Sequence, residues 1–332
     1  MGGSSKVMLA AADALRLDHE VTLRAPFAEA TSRHFHPLPV ETIRGGMAKF
    51  FMMLRLLRIL LLETVWLRGQ QYDVYYVGDT PSLYVYGLLA KLFGAKLLWH
   101  VHFDEGRGLI RWLRNWLCHG KVYISRFTTD ETSHQPWWLV ANPLILPDDL
   151  QVWSADKMRD VAVLGTLSER KNQKLAIDAA GLLHRQGRPV RLHLFGGTVD
   201  PQYVRTLRSA ISKQGLDDRV IMHGAKPLAA ALSEAGLVIV PSLFENQPLV
   251  VIEALAAGWP IVVSDIPAHR ELFQTLGLPA DYLVPLTDEA FASWMDNPPP
   301  PPDEEMTQKV RQIFSMERFS AEIRTVFRAF AG

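Results

Sequence analysis

Two apolar runs, Leu237-Val238-Ile239-Val240 and Ile261-Val262-Val263, flank a helix-forming stretch, and this spacing leaves few folds open. Short unbroken aliphatic runs rich in β-branched residues fit strands buried on both faces. Between them, Ser242–Gln247 reads as a loop. Pro248 suits the first turn of a helix, where it has no N–H to lose. The helix is expected to run to about Ala257. Gly258 can stop it in a left-handed cap, and Pro260 blocks continuation. Strand, helix and strand in so short a segment require a crossover between parallel strands, and therefore an α/β sheet.

The same alternation covers most of the chain. Helices are expected over 6–17, 47–67, 82–93 and 108–118, with strands over 19–24, 73–77, 96–102, 121–125 and 138–140. A polar, proline-containing stretch at 147–158 reads as a linker. Alternation then restarts, with strands over 160–164, 191–195 and 220–222 and helices over 173–186, 201–214 and 228–235. This predicts an N-terminal domain over 1–150 and a C-terminal domain over 151–315. A last helix near 321–330, within a segment 316–332, is expected to cross back to the first domain. Pro298–Pro302 reads as a polyproline II spacer on the surface.

Composition removes several classes. The chain has 332 residues, 48% of them hydrophobic and 21% charged, with a net charge of +0. That excludes disorder and coiled coil, and it lacks the basic excess of a nucleic-acid binder. A single cysteine, Cys118, excludes a disulfide framework and reads as a buried thiol. The chain's opening lacks a basic, apolar leader, and the long apolar stretch 47–67 carries Lys49, Arg55, Arg58 and Glu63, too many charges for a membrane span. A cytoplasmic location is expected, with no metal, since His34 and His36 have no partner at ligand spacing.

Glu245 and Glu253 bracket the strand–loop–helix junction described above. Ligands of open α/β sheets bind beyond the carboxyl ends of strands. The free N–H groups of a helix start attract phosphate. A diphosphate at the amides of Gln247, Leu249 and Val250 would have an acid on either side, each able to accept hydrogen bonds from sugar hydroxyls. Neither acid offsets the phosphate charge, so a cation must come from elsewhere.

With these residues in place, the chain resembles the group 1 family of retaining glycosyltransferases. Glu245–Glu253 match the family's E-x7-E motif. Gly165-Thr166-Leu167-Ser168-Glu169-Arg170-Lys171-Asn172 is similar to its donor-phosphate loop. Phe195-Gly196-Gly197 and Val220–Gly224 resemble two glycine turns at strand ends. Lys96–His102 resembles the strand ending in the active-site histidine, and Asn142-Pro143 the asparagine before the linker. The resemblance implies the GT-B fold, with two Rossmann-like domains whose parallel sheets face a cleft. It also implies a nucleotide-sugar donor, UDP- or GDP-linked, on the C-terminal domain, and no cofactor or metal.

By this resemblance Glu253 is expected to accept hydrogen bonds from the donor ribose, and Glu245 from the transferred sugar. Lys171 is expected to face the donor phosphates, Gly196 and Gly224 to allow close backbone approach, and His102 to reach the sugar, with His100 as a competitor. The family's usual arginine directly after the glycine is Thr166 here, and Arg170 stands as a possible substitute. Gly2-Gly3 resembles the glycine loop that follows the family's first strand, so Gly2, Gly3 and Asn142 are expected on the acceptor side. The first strand itself is missing from the sequence. The expectation is an N-terminal sheet with an unpaired edge and a natural start upstream of Met1, the alternative being a truncated form.

The acceptor side carries one physical hint. From Glu41 to Arg126 there are 12 Lys and Arg against 6 Asp and Glu. Arg107, Arg111 and Arg114 lie beside Trp112 and Trp116. Such a helix suits a headgroup surface, and it equally suits a solvated face with a core-facing tryptophan pair. A glycan or lipid-linked acceptor, with peripheral contact at the inner face of a membrane, is the resulting expectation. The rivals are a non-catalytic relative that binds sugar nucleotide or a protein, and a nucleotide-sugar epimerase.

Overall fold

The computed structural model describes residues 3–25, 35–37, 48–102, 106–130 and 134–332. It divides into two compact units. One comprises Met1–Pro143 with Met316–Gly332, the other Leu144–Ser315.

The first unit opens with α1 (Gly3–Leu15), β1 (Leu23–Ala25), β2 (Phe35–Pro37) and α2 (Ala48–Leu67). There follow β3 (Val74–Val77), α3 (Thr80–Phe93), β4 (Lys96–Val101), α4 (Gly108–Leu117), β5 (Gly120–Tyr123) and β6 (Trp137–Leu139). The predicted first helix thus starts earlier and ends earlier, and the predicted 19–24 strand shrinks to β1 and moves towards its C-terminal end. The strands β3-β4-β5-β6 form a parallel sheet in that order, while β1 and β2 pair separately. Among the described residues β3 and β6 are the two edges of this sheet.

Strand alternation splits the side chains of this sheet between two cores. Tyr75, Val77, Leu97, Trp99 and Val101 pack against α2, α3 and α4. Leu98 and Val122 point the other way, onto α1 and the returning C-terminal segment. Leu83, Leu89, Leu97 and Leu98 are wholly buried, each contributing about 1.5–3 kcal/mol of apolar transfer. Glu63, the one acid of α2, is also buried and accepts a hydrogen bond from Tyr86 Oη at 2.9 Å, which ties α2 to α3.

The second unit alternates almost without interruption. Its elements are β7 (Asp160–Leu164), α5 (Gln173–Arg185), β8 (Arg191–Phe195), α6 (Pro201–Lys213), β9 (Val220–Gly224), α7 (Leu228–Leu232) and β10 (Leu237–Val240). Then come α8 (Leu249–Ala257), β11 (Ile261–Ser264), α9 (Pro267–Leu276), β12 (Leu283–Val284), α10 (Asp288–Asp296) and α11 (Glu304–Ile313). All six strands are parallel, in the order β12-β11-β10-β7-β8-β9. Gly258 ends α8 in the left-handed conformation at φ 88°, and Pro248 stands just before the helix rather than in its first turn. Pro299 is buried, so the proline run is not wholly on the surface.

The last helix, α12 (Met316–Ala331), belongs to the first unit. Phe319, Ile323, Val326, Phe327 and Phe330 join Val7, Ala11 and Leu15 of α1 in one core. Lys96 Nζ donates to the Phe330 carbonyl at 2.9 Å, placing a cation at the helix's negative end. Arg324 grips the Asp18 carboxylate with two hydrogen bonds, at 2.7 and 2.8 Å.

Candidate active site

Within the second unit the strand order reverses at β7. Its successor β8 lies on one side and β10 on the other, so the loops after β7 and β10 part at this point. Three glycines mark adjacent strand ends. Gly165 N donates to Phe195 O, and Gly196 N to Gly224 O, each at 2.8 Å. A Cβ on Gly196 would stand 1.9 Å from the Gly165 carbonyl oxygen. The glycine there lets two strand ends meet, and the expected room for a ligand at Gly196 is taken by Gly165. Gly224, by contrast, has φ 73° and open space where a side chain would be.

The loop after β7 brings a cation over Gly165. Glu169–Lys171 forms one 3-10 turn, and Asn172 turns the chain into α5 with φ 51°. Buried Gln173 fastens the loop from below, donating to the Thr166 carbonyl at 3.0 Å. A Cβ on Gly165 would lie 3.2 Å from Lys171 Cε, so the bare glycine leaves the path for the lysine stem. Gly165 and Gln173 therefore shape the site, although only Gly165 carries a sequence signal.

The loop after β10 carries Glu245, which is 5% exposed. Lys171 Nζ donates to its Oε1 at 2.5 Å and Arg170 Nη1 to its Oε2 at 2.8 Å. Ser242 Oγ donates to Oε1 at 2.8 Å. Arg170 thus reaches the site while staying about half exposed, and it also donates to the Phe244 carbonyl at 3.1 Å. Leu243 N returns a bond to Arg170 O at 2.8 Å, so the two loops are stitched by backbone and side chains together. Burial raises the Glu245 carboxyl, but Lys171, Arg170 and Ser242 outweigh it and hold the acid below its ordinary range.

Behind this acid lies a residue without a sequence signal. Ser264 Oγ donates to Ser242 O at 2.6 Å, and His269 Nδ1 donates to Ser264 O at 2.6 Å. A carbonyl can only accept, so Nδ1 carries the proton and Nε2 is left as an acceptor. Nε2 is buried and has no hydrogen-bond partner among the described residues. Burial holds His269 below the usual imidazole range, and therefore neutral.

Glu253 is half-buried on α8, about one turn after the helix begins at Leu249. In the first turn of that helix, Leu249 N bonds Gln247 O, while Val251 N and Ile252 N bond Pro248 O. The Val250 N–H makes no such bond among the described residues, so it is the donor that this helix start leaves available. The structure therefore gathers Glu245, Lys171, Arg170 and the start of α8 carrying Gln247, Leu249 and Val250, with Gly196 and Gly224 at neighbouring strand ends.

The remaining sequence-predicted residues belong to the first unit. His102 follows β4, and its ring stacks on that of His100 at 4.2 Å. His100 Nδ1 lies 2.7 Å from Tyr76 Oη. Burial lowers His102 to about 4 and His100 well below the usual value, so both rings are neutral near pH 7. Asn142 is buried after β6. Gly3 is the first residue of α1 rather than part of a loop, and Gly2 lies outside the described residues. Among the described residues no group of three or more His, Cys, Asp or Glu could hold a metal ion, and no helix is long and apolar enough to cross a membrane.

Two parallel sheets wrapped by helices, with paired cations and an acid at a switch point of the second, make this an α/β protein whose solved structural neighbours have the GT-B fold. Residues 149–312 match the family model of glycosyl transferases group 1, so this segment is similar to that family. The amylovoran biosynthesis glycosyltransferase AmsK of Erwinia amylovora is 32% identical over 118 residues, covering 32% of this chain and 28% of that protein. The mannosylfructose-phosphate synthase of Agrobacterium fabrum is 31% identical over 124 residues, covering 35% and 27%. The chain spans a third or less of the length of the curated relatives it matches. Among solved structures, Anabaena HepE in complex with UDP and glucose has a TM-score of 0.73 at 16% identity, covering 99% of this chain and 96% of that one. The sucrose-phosphate synthase of Thermosynechococcus elongatus has 0.74 at 18%, covering 99% and 93%. At such identities the likeness is one of fold.

Proposed function

We propose that this chain is a retaining glycosyltransferase that moves a sugar from a nucleoside diphosphate donor to a glycan or lipid-linked acceptor. The observation that carries this reading is the meeting of Lys171, Arg170 and Glu245 at the switch point, beside the start of α8. Two cations face one carboxylate, so one positive charge is left over for an anionic ligand. The Val250 N–H and the helix dipole add to it. A diphosphate leaving group gains negative charge as the glycosidic bond breaks, and fixed donors at that point lower the barrier. Lys171 is a compact point charge suited to the phosphates, and Glu253 to the ribose hydroxyls. The retaining outcome, by front-face displacement, rests on the family resemblance. The relatives add support: HepE is described with UDP and with UDP-glucose, and AmsK acts in amylovoran biosynthesis.

A thermal-shift panel of UDP- and GDP-sugars tests the reading. One donor class should raise the melting temperature, as any ligand of the native state does, and Glu253→Ala should reduce the rise. No shift with any sugar nucleotide, together with no difference for Glu253→Ala, would overturn it. A second reading, binding without transfer, is favoured by Thr166, which is exposed and supplies no cation where the family usually has arginine. Turnover of the bound donor in the presence of acceptor separates the two.

A further inference from the structure

The helices α2, α3 and α4 cover one face of the β3–β6 sheet, and their outer sides are apolar. On α2 Leu54, Leu57, Leu61, Leu62 and Val65 are exposed apolar residues at helical spacing among the described side chains. On α3, Leu88, Leu92 and Phe93 are exposed. α4 is inverted. Its one buried residue is Leu117, while Leu109 is 77% exposed and Trp112 61%. The expectation of a core-facing tryptophan pair is thereby overturned, since Trp116 is exposed too. The arginines of α4 are half-buried and tied to neighbouring groups instead. Arg114 donates to Tyr84 Oη at 3.1 Å on α3, and Arg111 to the Gly106 carbonyl at 3.0 Å. Soluble monomers rarely carry so continuous an apolar surface without something to cover it.

Basic side chains dominate the charge on the three helices, and Asp130, 3.6 Å from Arg111, is a neighbouring acid. Arg58 and Lys91 are exposed on α2 and α3, and Arg107 is exposed at the start of α4. Lys91 Nζ stands 4.5 Å from the centre of the Trp116 ring. The only acid on the three helices is Glu63, and it is buried. Tryptophan, leucine and basic residues on convex helix surfaces fit the boundary between headgroups and acyl chains.

We propose that the α2–α3–α4 face docks on a lipid bilayer bearing anionic headgroups. Trp112, Trp116 and Leu109 enter the headgroup boundary, while Arg58, Lys91 and Arg107 meet the lipid phosphates. A second copy of the chain fits the surface less well, because a symmetric contact would set this basic rim against itself. The inference concerns a unit other than the one that carries the donor reading and does not depend on it.

Co-sedimentation with vesicles tests the proposal. The full chain should pellet with phosphatidylcholine vesicles containing phosphatidylglycerol and stay in solution with phosphatidylcholine alone. Trp112→Ser with Trp116→Ser should weaken pelleting by about tenfold or more, as loss of buried apolar anchors does. Trp112→Phe with Trp116→Phe should retain it. Lys91→Gln with Arg107→Gln should remove the preference for the anionic vesicles. An unchanged melting temperature distinguishes lost docking from lost folding, and Leu61→Ser with Leu109→Ser is a second pair should the tryptophan variant unfold. The proposal is overturned if neither vesicle takes up the protein, or if uptake ignores both sets of changes. It is equally overturned if sedimentation velocity gives a dimer in solution that Trp112→Ser with Trp116→Ser dissociates.

Discussion

Lys171 and Glu245, 74 residues apart in sequence, meet at 2.5 Å across the loops that follow β7 and β10. The contact orders both loops around one buried carboxylate and fixes the ammonium over Gly165. Lys171→Ala should therefore act on chemistry more than on folding. The lost cation is replaced by nothing, since Arg170 is held on the other carboxylate oxygen. Turnover should fall by about 10²–10³, the cost of removing one fixed donor from a developing negative charge. Lys171→Arg should restore only part of it, because a planar guanidinium cannot occupy the same point. Initial rates with the donor identified by thermal shift decide this.

Glu245→Gln should have the opposite balance. It leaves Lys171 and Arg170 side by side without a counter-charge, in a site where Glu245 is nearly buried. A destabilisation of about 1–3 kcal/mol is expected at neutral pH. The sign with pH follows from the lowered acid. A carboxyl whose folded value lies below its unfolded one contributes stability above the unfolded value of 4.5 and loses it as pH falls through the folded value. Denaturant titrations of wild type and Glu245→Gln should therefore converge in acid. A gap as wide at low pH as at neutral pH would rule out this account.

Gly196 and Gly197 offer a contrast between adjacent glycines. A methyl group on Gly196 would meet the Gly165 carbonyl at 1.9 Å, a backbone atom fixed by the sheet, whereas one on Gly197 meets nothing within 4 Å. Gly196→Ala should cost about 1–3 kcal/mol or more, the range for forced overpacking, and Gly197→Ala almost nothing. The two midpoints of urea unfolding give the comparison directly.

Much of this architecture was legible because buried parallel strands write themselves as aliphatic runs. Leu237–Val240 and Ile261–Ser264 each appear as a strand at the place expected. The two-residue β12 was not legible, since so short a strand has no periodicity to read. Helical spacing on α4 correctly marked an apolar face but said nothing of its direction, and that face turned out to point away from the core. What the sequence did not reveal about the candidate site is how its residues meet. The spacing of Glu245 and Glu253 marked the loop and helix, yet nothing local could reveal that Arg170 and Lys171 both close on Glu245. His269 carried no signal at all, because its role arises from the neighbouring ends of β10 and β11 in the sheet.

The histidines after β4 make the pH dependence of the first unit testable. His102 is held neutral by burial, with its value lowered to about 4 from 6.5. An imidazole lowered in the fold binds its proton more readily in the unfolded chain. Its contribution is therefore complete above pH 6.5 and is lost as pH falls towards 4. The full difference corresponds to roughly 3 kcal/mol at 1.36 kcal/mol per unit. His100 is buried beside it and bonded to Tyr76, so it adds to the same slope. His102→Gln replaces the titrating ring with a neutral amide. The variant should lose less stability than wild type between pH 7 and pH 5, measured as the shift of the urea midpoint. Equal losses in the two proteins would place the acid sensitivity elsewhere in the chain.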